Sequence, residues 1–148
     1  TAIPTFQSWA AMRGLKKLKS HAVSGDARSL PWEDNYFQFA VSHGVLDSMK
    51  FETARSIVTE LSRVLAPNGL FYCDLVSGDD SQHGREFCGE EIVKGPHETG
   101  TVQLYFNWSL INSLFENLFE IVECNLIRRE DIIKGEHISR YHLILRNL

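Results

Sequence analysis

Residues 51–69, FETARSIVTELSRVLAPNG, constrain the fold more than any other stretch of the chain. Ala54, Ile57, Val58, Leu61, Val64 and Leu65 recur at the three-four spacing of one buried helix face. Glu52, Arg55, Thr59, Glu60 and Arg63 fall on the opposite face. The spacing predicts a helix over residues 51–66, and Pro67-Asn68-Gly69 stops it. LFYCDLV, residues 70–76, follows at once and reads as a buried strand. Upstream, YFQFAV at residues 36–41 is apolar on both faces around Gln38, as a buried parallel strand is.

The flanking segments extend this plan. Residues 4–15 read as a helix: Pro4 suits the first turn, Phe6, Trp9, Ala10, Met12 and Arg13 follow helical spacing, and Gly14 is a C-terminal stop. Residues 21–24 read as a short strand ending at Gly25-Asp26. Residues 77–101 are glycine-rich with little periodicity, a long connection of the kind that carries function or moves. Ser109 is a candidate N-cap for a helix through Leu118 that buries Ile111, Leu114, Phe115 and Leu118. Residues 120–129 and 139–146, joined through Lys134-Gly135-Glu136, predict a long antiparallel pair. Strand, helix, strand, helix and a closing pair make an α/β domain over residues 1–148, its sheet mainly parallel with an antiparallel edge.

Composition limits the partners. A formal charge of -4 argues against a surface built to grip nucleic acid, and Lys16-Lys17 and Arg128-Arg129 are too short to form basic patches. Cys73, Cys88 and Cys124 are sparse, odd in number and without metal-ligand spacing, which points to free thiols in a reducing compartment. His83, His97 and Cys88 share a glycine-rich loop without ligand spacing, so no metal site is expected. No apolar run reaches the length of a membrane span, and the cytoplasm is the expected location.

The stretch SHAVSGDARSLPWEDNYFQFAVSHGVLDSM, residues 20–49, ends one strand at Gly25-Asp26 and the next at Ser42-His43-Gly44. With the helix ending ELSRVLAPNGLFYCDLV, it resembles the class I S-adenosylmethionine-dependent methyltransferases, in particular their small-molecule subgroup. The closing segments NWSLINSLFENLFEIVECNLIRR and SRYHLILRN are similar to that family's C-terminal helix and antiparallel strands. The resemblance implies a Rossmann-like methyltransferase sheet of order 3-2-1-4-5-7-6. The family's glycine-rich loop and the acidic end of its second strand have no counterpart here, and Gln38 stands where an aspartate is common. The expectation is therefore the C-terminal portion of a larger methyltransferase, lacking strands 1 and 2. The strand at Tyr36 is then left with a bare apolar edge, and a second copy of the chain is one way to cover it.

The resemblance assigns roles to particular residues. Asp26 accepts from the adenine amine of S-adenosylmethionine and the Ala27 amide donates to the ring; the plain alternative is a turn carboxylate. Ser42, His43 and Gly44 face the methionine part of the cofactor and the methyl-transfer site, with Gly44 allowing close backbone approach. His43 is the candidate catalytic base, against a solvent-facing structural histidine. Leu30 and Trp32 flank adenine or simply pack the turn. Residues 77–108 are the substrate-side region, with His83, Arg85, His97, Tyr105 and Trp108 as its polar and aromatic candidates.

Two functions follow. One is methyl transfer to a small-molecule acceptor, for which no strict acid-base constellation is required because the cofactor carries the electrophile. The other is a non-catalytic methyltransferase-like binding module, motivated by Gln38 and the lack of a glycine-rich loop.

Overall fold

The computed structural model describes residues 8–9, 11–14, 23–95 and 99–148, in two units, Thr1–Pro31 and Trp32–Leu148. In the first unit, residues 8–9 and 11–12 are helical and Gly14 stands at φ 71°, the stop expected of it. The remainder of the helix predicted over 4–15 lies outside the described residues. Residues 23–26, which include the end of the strand predicted over 21–24, have no regular secondary structure, and residues 21–22 lie outside the description.

The second unit runs β1 (Phe37–Ser42), α1 (Phe51–Val64), β2 (Leu65–Val76), β3 (Gly89–Ile92), β4 (Val102–Tyr105), α2 (Trp108–Phe115), β5 (Phe119–Asp131) and β6 (Glu136–Asn147). The face of α1 that the spacing predicts is the one that packs: Ala54, Ile57, Val58 and Val64 are buried. Glu52 in its first turn and Arg63 in its last complement the helix dipole. The helix stops at Val64 because Leu65 is already extended, so Pro67-Asn68-Gly69 lies inside the first part of β2. Pairing of β1 with β2 steps from Phe37–Leu65 to Phe39–Leu70, and residues 66–69 form the intervening irregularity, with Asn68 at φ 63°. Asparagine is among the residues that tolerate this left-handed region.

The main sheet has the order β1-β2-β6-β5. β1 and β2 are parallel, while β2–β6 and β6–β5 are antiparallel. The expectation of a mainly parallel sheet is thus corrected for the described residues. A parallel neighbour needs a crossover, and only α1 provides one between strands of this sheet. The closing antiparallel pair is present and longer than predicted.

Phe71, Cys73 and Leu75 of β2 and Tyr141, Leu143 and Leu145 of β6 alternate into the core. Phe71, Phe115 and Phe119 meet there with ring centroids 5.8–6.4 Å apart, arrangements that add to their burial. The N-cap of α2 is Asn107, not Ser109: the Asn107 side chain accepts from the Leu110 amide at 2.9 Å, which places Ser109 within the first turn. At the other end of α2, the Arg55 guanidinium donates to the carbonyls of Leu114 and Glu116 at 2.6 and 3.1 Å. It thereby satisfies acceptors that the helix leaves open.

The connection over 77–101 is more ordered than its composition implies. β3 and β4 form a separate antiparallel pair, with Gly89 opposite Tyr105 and Ile92 opposite Val102. Four residues of GEEI carry no readable period, so this strand left little trace in the sequence.

Candidate functional site

The end of β1 is built around a left-handed residue. Gly44 stands at φ 63°, and nothing lies within 4 Å of the place a Cβ would occupy. The left-handed backbone conformation favours glycine there. The chain turns at this point so that the Gly44 amide donates to Asp74 Oδ1 at 2.8 Å. The ring of His43 sits over the same carboxylate, with Nδ1 2.9 Å from Asp74 Oδ2. Ser42 is half-buried, and His43 and Gly44 are exposed.

Asp74 is the centre of a buried polar cluster. Its side chain is fully buried on β2, and Arg140 of β6 donates from Nε to Oδ2 at 2.8 Å. Arg140 Nη2 also donates to Asp47 Oδ2 at 2.6 Å, and that oxygen accepts the Val76 amide at 2.9 Å. The Asp47 carbonyl accepts from the Leu104 amide and Gln103 Nε2 at 2.8 and 2.7 Å. Two buried carboxylates thus tie the loop after β1 to β2, β4 and β6. Burial pushes the Asp74 carboxyl up, but the Gly44 amide, the Arg140 guanidinium and His43 outweigh it and hold the group below the usual carboxylate range.

A second polar group lies in the long connection. His83 places Nδ1 3.0 Å from both oxygens of Asp80 and Nε2 3.2 Å from Glu91 Oε1. Its ring stacks on Phe87 at 4.2 Å and lies 4.8 Å from Tyr105. The hydrogen bond to Asp80 raises the His83 pKa against a smaller effect of burial, with Glu91 adding to the rise. Nearby, the His137 amide donates to Ser81 Oγ at 2.6 Å.

The sequence candidates therefore divide. His43 and Gly44 meet Asp74, and Ser42 precedes them at the end of β1. His83 and Tyr105 meet in the second group, and Tyr105 also lines a cavity of about 410 Å3 with Gln82, Glu91 and Gln103. Arg85 and Trp108 instead border another cavity of about 410 Å3 beside Cys124, Leu126 and Tyr141. His97 lies outside the described residues. Among the described residues, no group of three or more potential ligands is arranged to hold a metal ion. No helix among them is long and apolar enough to cross a membrane.

Asp26 belongs to the first unit and is exposed, in a turn in which the Ser29 amide donates to its carbonyl at 3.0 Å. Its carboxylate accepts from the Arg28 amide at 2.9 Å and from Arg28 Nε and Nη2 at 2.6–3.1 Å. These hydrogen bonds hold its pKa down to about 2. Ala27 is half-buried beside it. Trp32, in the second unit, packs edge-on against Phe37 at 5.1 Å.

Asp47, Asp74 and Arg140 were missed by sequence reasoning. The signal was there for Asp74: a lone charge inside the apolar run LFYCDLV must find a partner. Its partner lies 66 residues away on another strand, and nothing local indicates which residue it is.

Residues 4–73 match the family described as methyltransferase domain. An uncharacterized protein of Haemophilus influenzae is 30% identical over 83 residues, 55% of this chain, and the chain spans about a third (33%) of that relative's length. An S-adenosylmethionine-dependent methyltransferase from Methanosarcina mazei is similar in structure, with a TM-score of 0.68 at 21% identity over 90% of this chain and 76% of that one. The 1,6-didemethyltoxoflavin-N1-methyltransferase of Burkholderia thailandensis, solved with 1,6-didemethyltoxoflavin and S-adenosylhomocysteine, gives 0.64 at 15% identity over 84% of this chain and 49% of that one. At these identities the structural likeness carries the fold, an α/β methyltransferase-like sheet closed by two antiparallel strands. Family match and fold agree: residues 4–73 are similar to the methyltransferase domain family, and the sheet is methyltransferase-like.

Proposed function

We propose that the chain acts in methyl transfer from S-adenosylmethionine to a small-molecule acceptor, with Ser42, His43 and Gly44 beside the reacting atoms. The observation that carries this reading is the loop after β1. It turns on a left-handed glycine at the carboxyl end of the parallel pair, where ligands of open α/β sheets bind, and buried Asp74 pins it. When bound, S-adenosylmethionine supplies a methyl group on a positively charged sulfur. The protein's share is alignment and, where the acceptor carries a proton, its removal.

The residues present fit such a group. Open space over Gly44 and the Ser42 hydroxyl beside it suit a polar methionine moiety. Within the first unit taken by itself, Asp26 and Ala27 suit an adenine edge once Arg28 yields its place on the carboxylate. An exposed pair of this kind is weak enough to exchange. The connection over 77–108, with His83, Tyr105 and Trp108, supplies acceptor contacts in this reading.

Calorimetric titration of the full chain with S-adenosylhomocysteine tests the proposal. Saturable binding that weakens on Asp26→Ala is the expected result. A folded chain that takes up no S-adenosylhomocysteine would remove the enzymatic reading.

One observation favours the alternative of a non-catalytic binding module. Phe39 and Val41 are 71% and 76% exposed on β1, whose only strand partner among the described residues is β2. Such a strand can take up a partner's strand. Under that reading the same titration stays flat.

A further inference from the structure

The pairing of a fully buried carboxylate with a largely exposed imidazole asks for an explanation. The side chain of His43 is 76% exposed and that of Asp74 is fully buried. Asp74 is already supported without the histidine, by the Gly44 amide on one oxygen and by Arg140 Nε on the other. Arg140 is fixed in turn by Asp47, which is itself buried and bonded to the Val76 amide. The imidazole is therefore surplus to the neutralisation of Asp74. The effect of the contact falls on the ring instead.

A carboxylate only accepts hydrogen bonds. With Nδ1 2.9 Å from Asp74 Oδ2, the neutral ring carries its proton on Nδ1 and its lone pair on Nε2. Asp74 cannot swing away, because three other hydrogen-bond partners hold its network: the Gly44 amide, Arg140 and, through Arg140, Asp47. A base oriented by a fixed acid is the arrangement that proton removal from a bound nucleophile uses.

We propose, resting on the methyl-transfer reading above, that His43 is the base that accepts the acceptor's proton and that Asp74 is the positioning residue that fixes its ring. The acceptor is then a small molecule methylated at a proton-bearing oxygen or nitrogen. In the step, the acceptor's lone pair forms the new bond to the methyl carbon, and the carbon–sulfur electron pair stays on the departing sulfur, which becomes neutral. The acceptor's proton passes to His43 Nε2, and the resulting imidazolium is balanced by Asp74 until water takes the proton. A thiol acceptor ionises readily on its own and has less need of such a base.

The test reads the ring directly in the full chain labelled with 15N-histidine, at pH 8, with His43→Gln used to assign the signals. The expected result is a preference of about tenfold or more for the Nδ1–H tautomer at His43, the strength of a charge-assisted hydrogen bond. Asp74→Asn should bring the two tautomers close to even or invert them. Mixed tautomers or Nε2–H in the wild-type chain would overturn the proposal, and this readout does not depend on the variant folding. A fixed Nδ1–H tautomer in a chain that does not bind S-adenosylhomocysteine would overturn the methyl-transfer reading, and the acceptor class with it, while leaving the Asp74–His43 positioning intact.

Discussion

Arg140 Nε lies 2.8 Å from Oδ2 of the fully buried Asp74, across the antiparallel β2–β6 pair, and its Nη2 reaches Asp47 on the other side. One guanidinium thus serves two buried carboxylates. Removing one partner from a buried ion pair leaves an uncompensated charge, at a cost of about 3–5 kcal/mol. Arg140→Met should lower unfolding stability in urea by that order. Adding Asp74→Asn and Asp47→Asn to the same chain should recover much of it, because the charges needing compensation are gone. A loss below about 1 kcal/mol in the single variant would show that solvent reaches the carboxylates and neutralises them without Arg140.

Gly78 fixes where the long connection leaves the sheet. A Cβ there would overlap the Phe87 carbonyl oxygen and stand 2.9 Å from the Phe87 Cβ, while the Gly78 amide is held by the Phe106 carbonyl at 3.3 Å. Backbone on both sides has to move, so Gly78→Ala should destabilise the chain by about 1–3 kcal/mol, the range of overpacked sites. Because Phe87 stacks on His83, faster amide hydrogen exchange over residues 81–87 should accompany the loss. Unchanged exchange there would mean that the connection is not anchored through Gly78.

Much of this was legible from local sequence. The face of α1, the buried strand behind it and the closing antiparallel pair follow from spacing alone, since period and turn residues are written within a dozen positions. The family resemblance pointed to the end of β1, where His43 and Gly44 meet the buried Asp74. What failed was non-local. Asp47, Asp74 and Arg140 come from three segments, and no spacing links them. Asn107 is the N-cap two residues ahead of Ser109, a difference that side-chain geometry decides. The parallel share of the sheet was overstated: among the described residues only β1 and β2 run parallel, and residues 23–26 have no regular secondary structure.

Phe39 and Val41 leave an apolar strip exposed along β1, and exposed apolar edges template pairing between chains. The 148-residue chain should therefore self-associate with rising concentration, and Phe39→Lys together with Val41→Lys should reduce it. Sedimentation velocity over a hundredfold concentration range reads the outcome. Equal sedimentation of wild type and variant at every concentration would show that this strip does not mediate contact between copies.

His83 gives the long connection a dependence on pH whose sign is fixed by its partners. Asp80 first, then Glu91, raise the folded pKa of His83 above the ordinary histidine value of about 6.5. The stabilisation is thus complete below about pH 6.5 and is lost as pH rises through the higher folded value. Asp80 works in the opposite direction: burial raises its pKa, the His83 ring and the Gln82 and His83 amides outweigh that, and its contribution disappears only as pH falls below the ordinary carboxylate range. The stability difference between wild type and His83→Asn, measured by urea unfolding, should be largest near pH 5.5 and shrink steadily toward pH 8.5. Asp80→Asn should flatten most of that slope, because it removes the leading cause of the shift. A difference that is constant from pH 5.5 to 8.5 would mean that the imidazole is held by Phe87 and Tyr105 alone, through stacking that does not sense its charge.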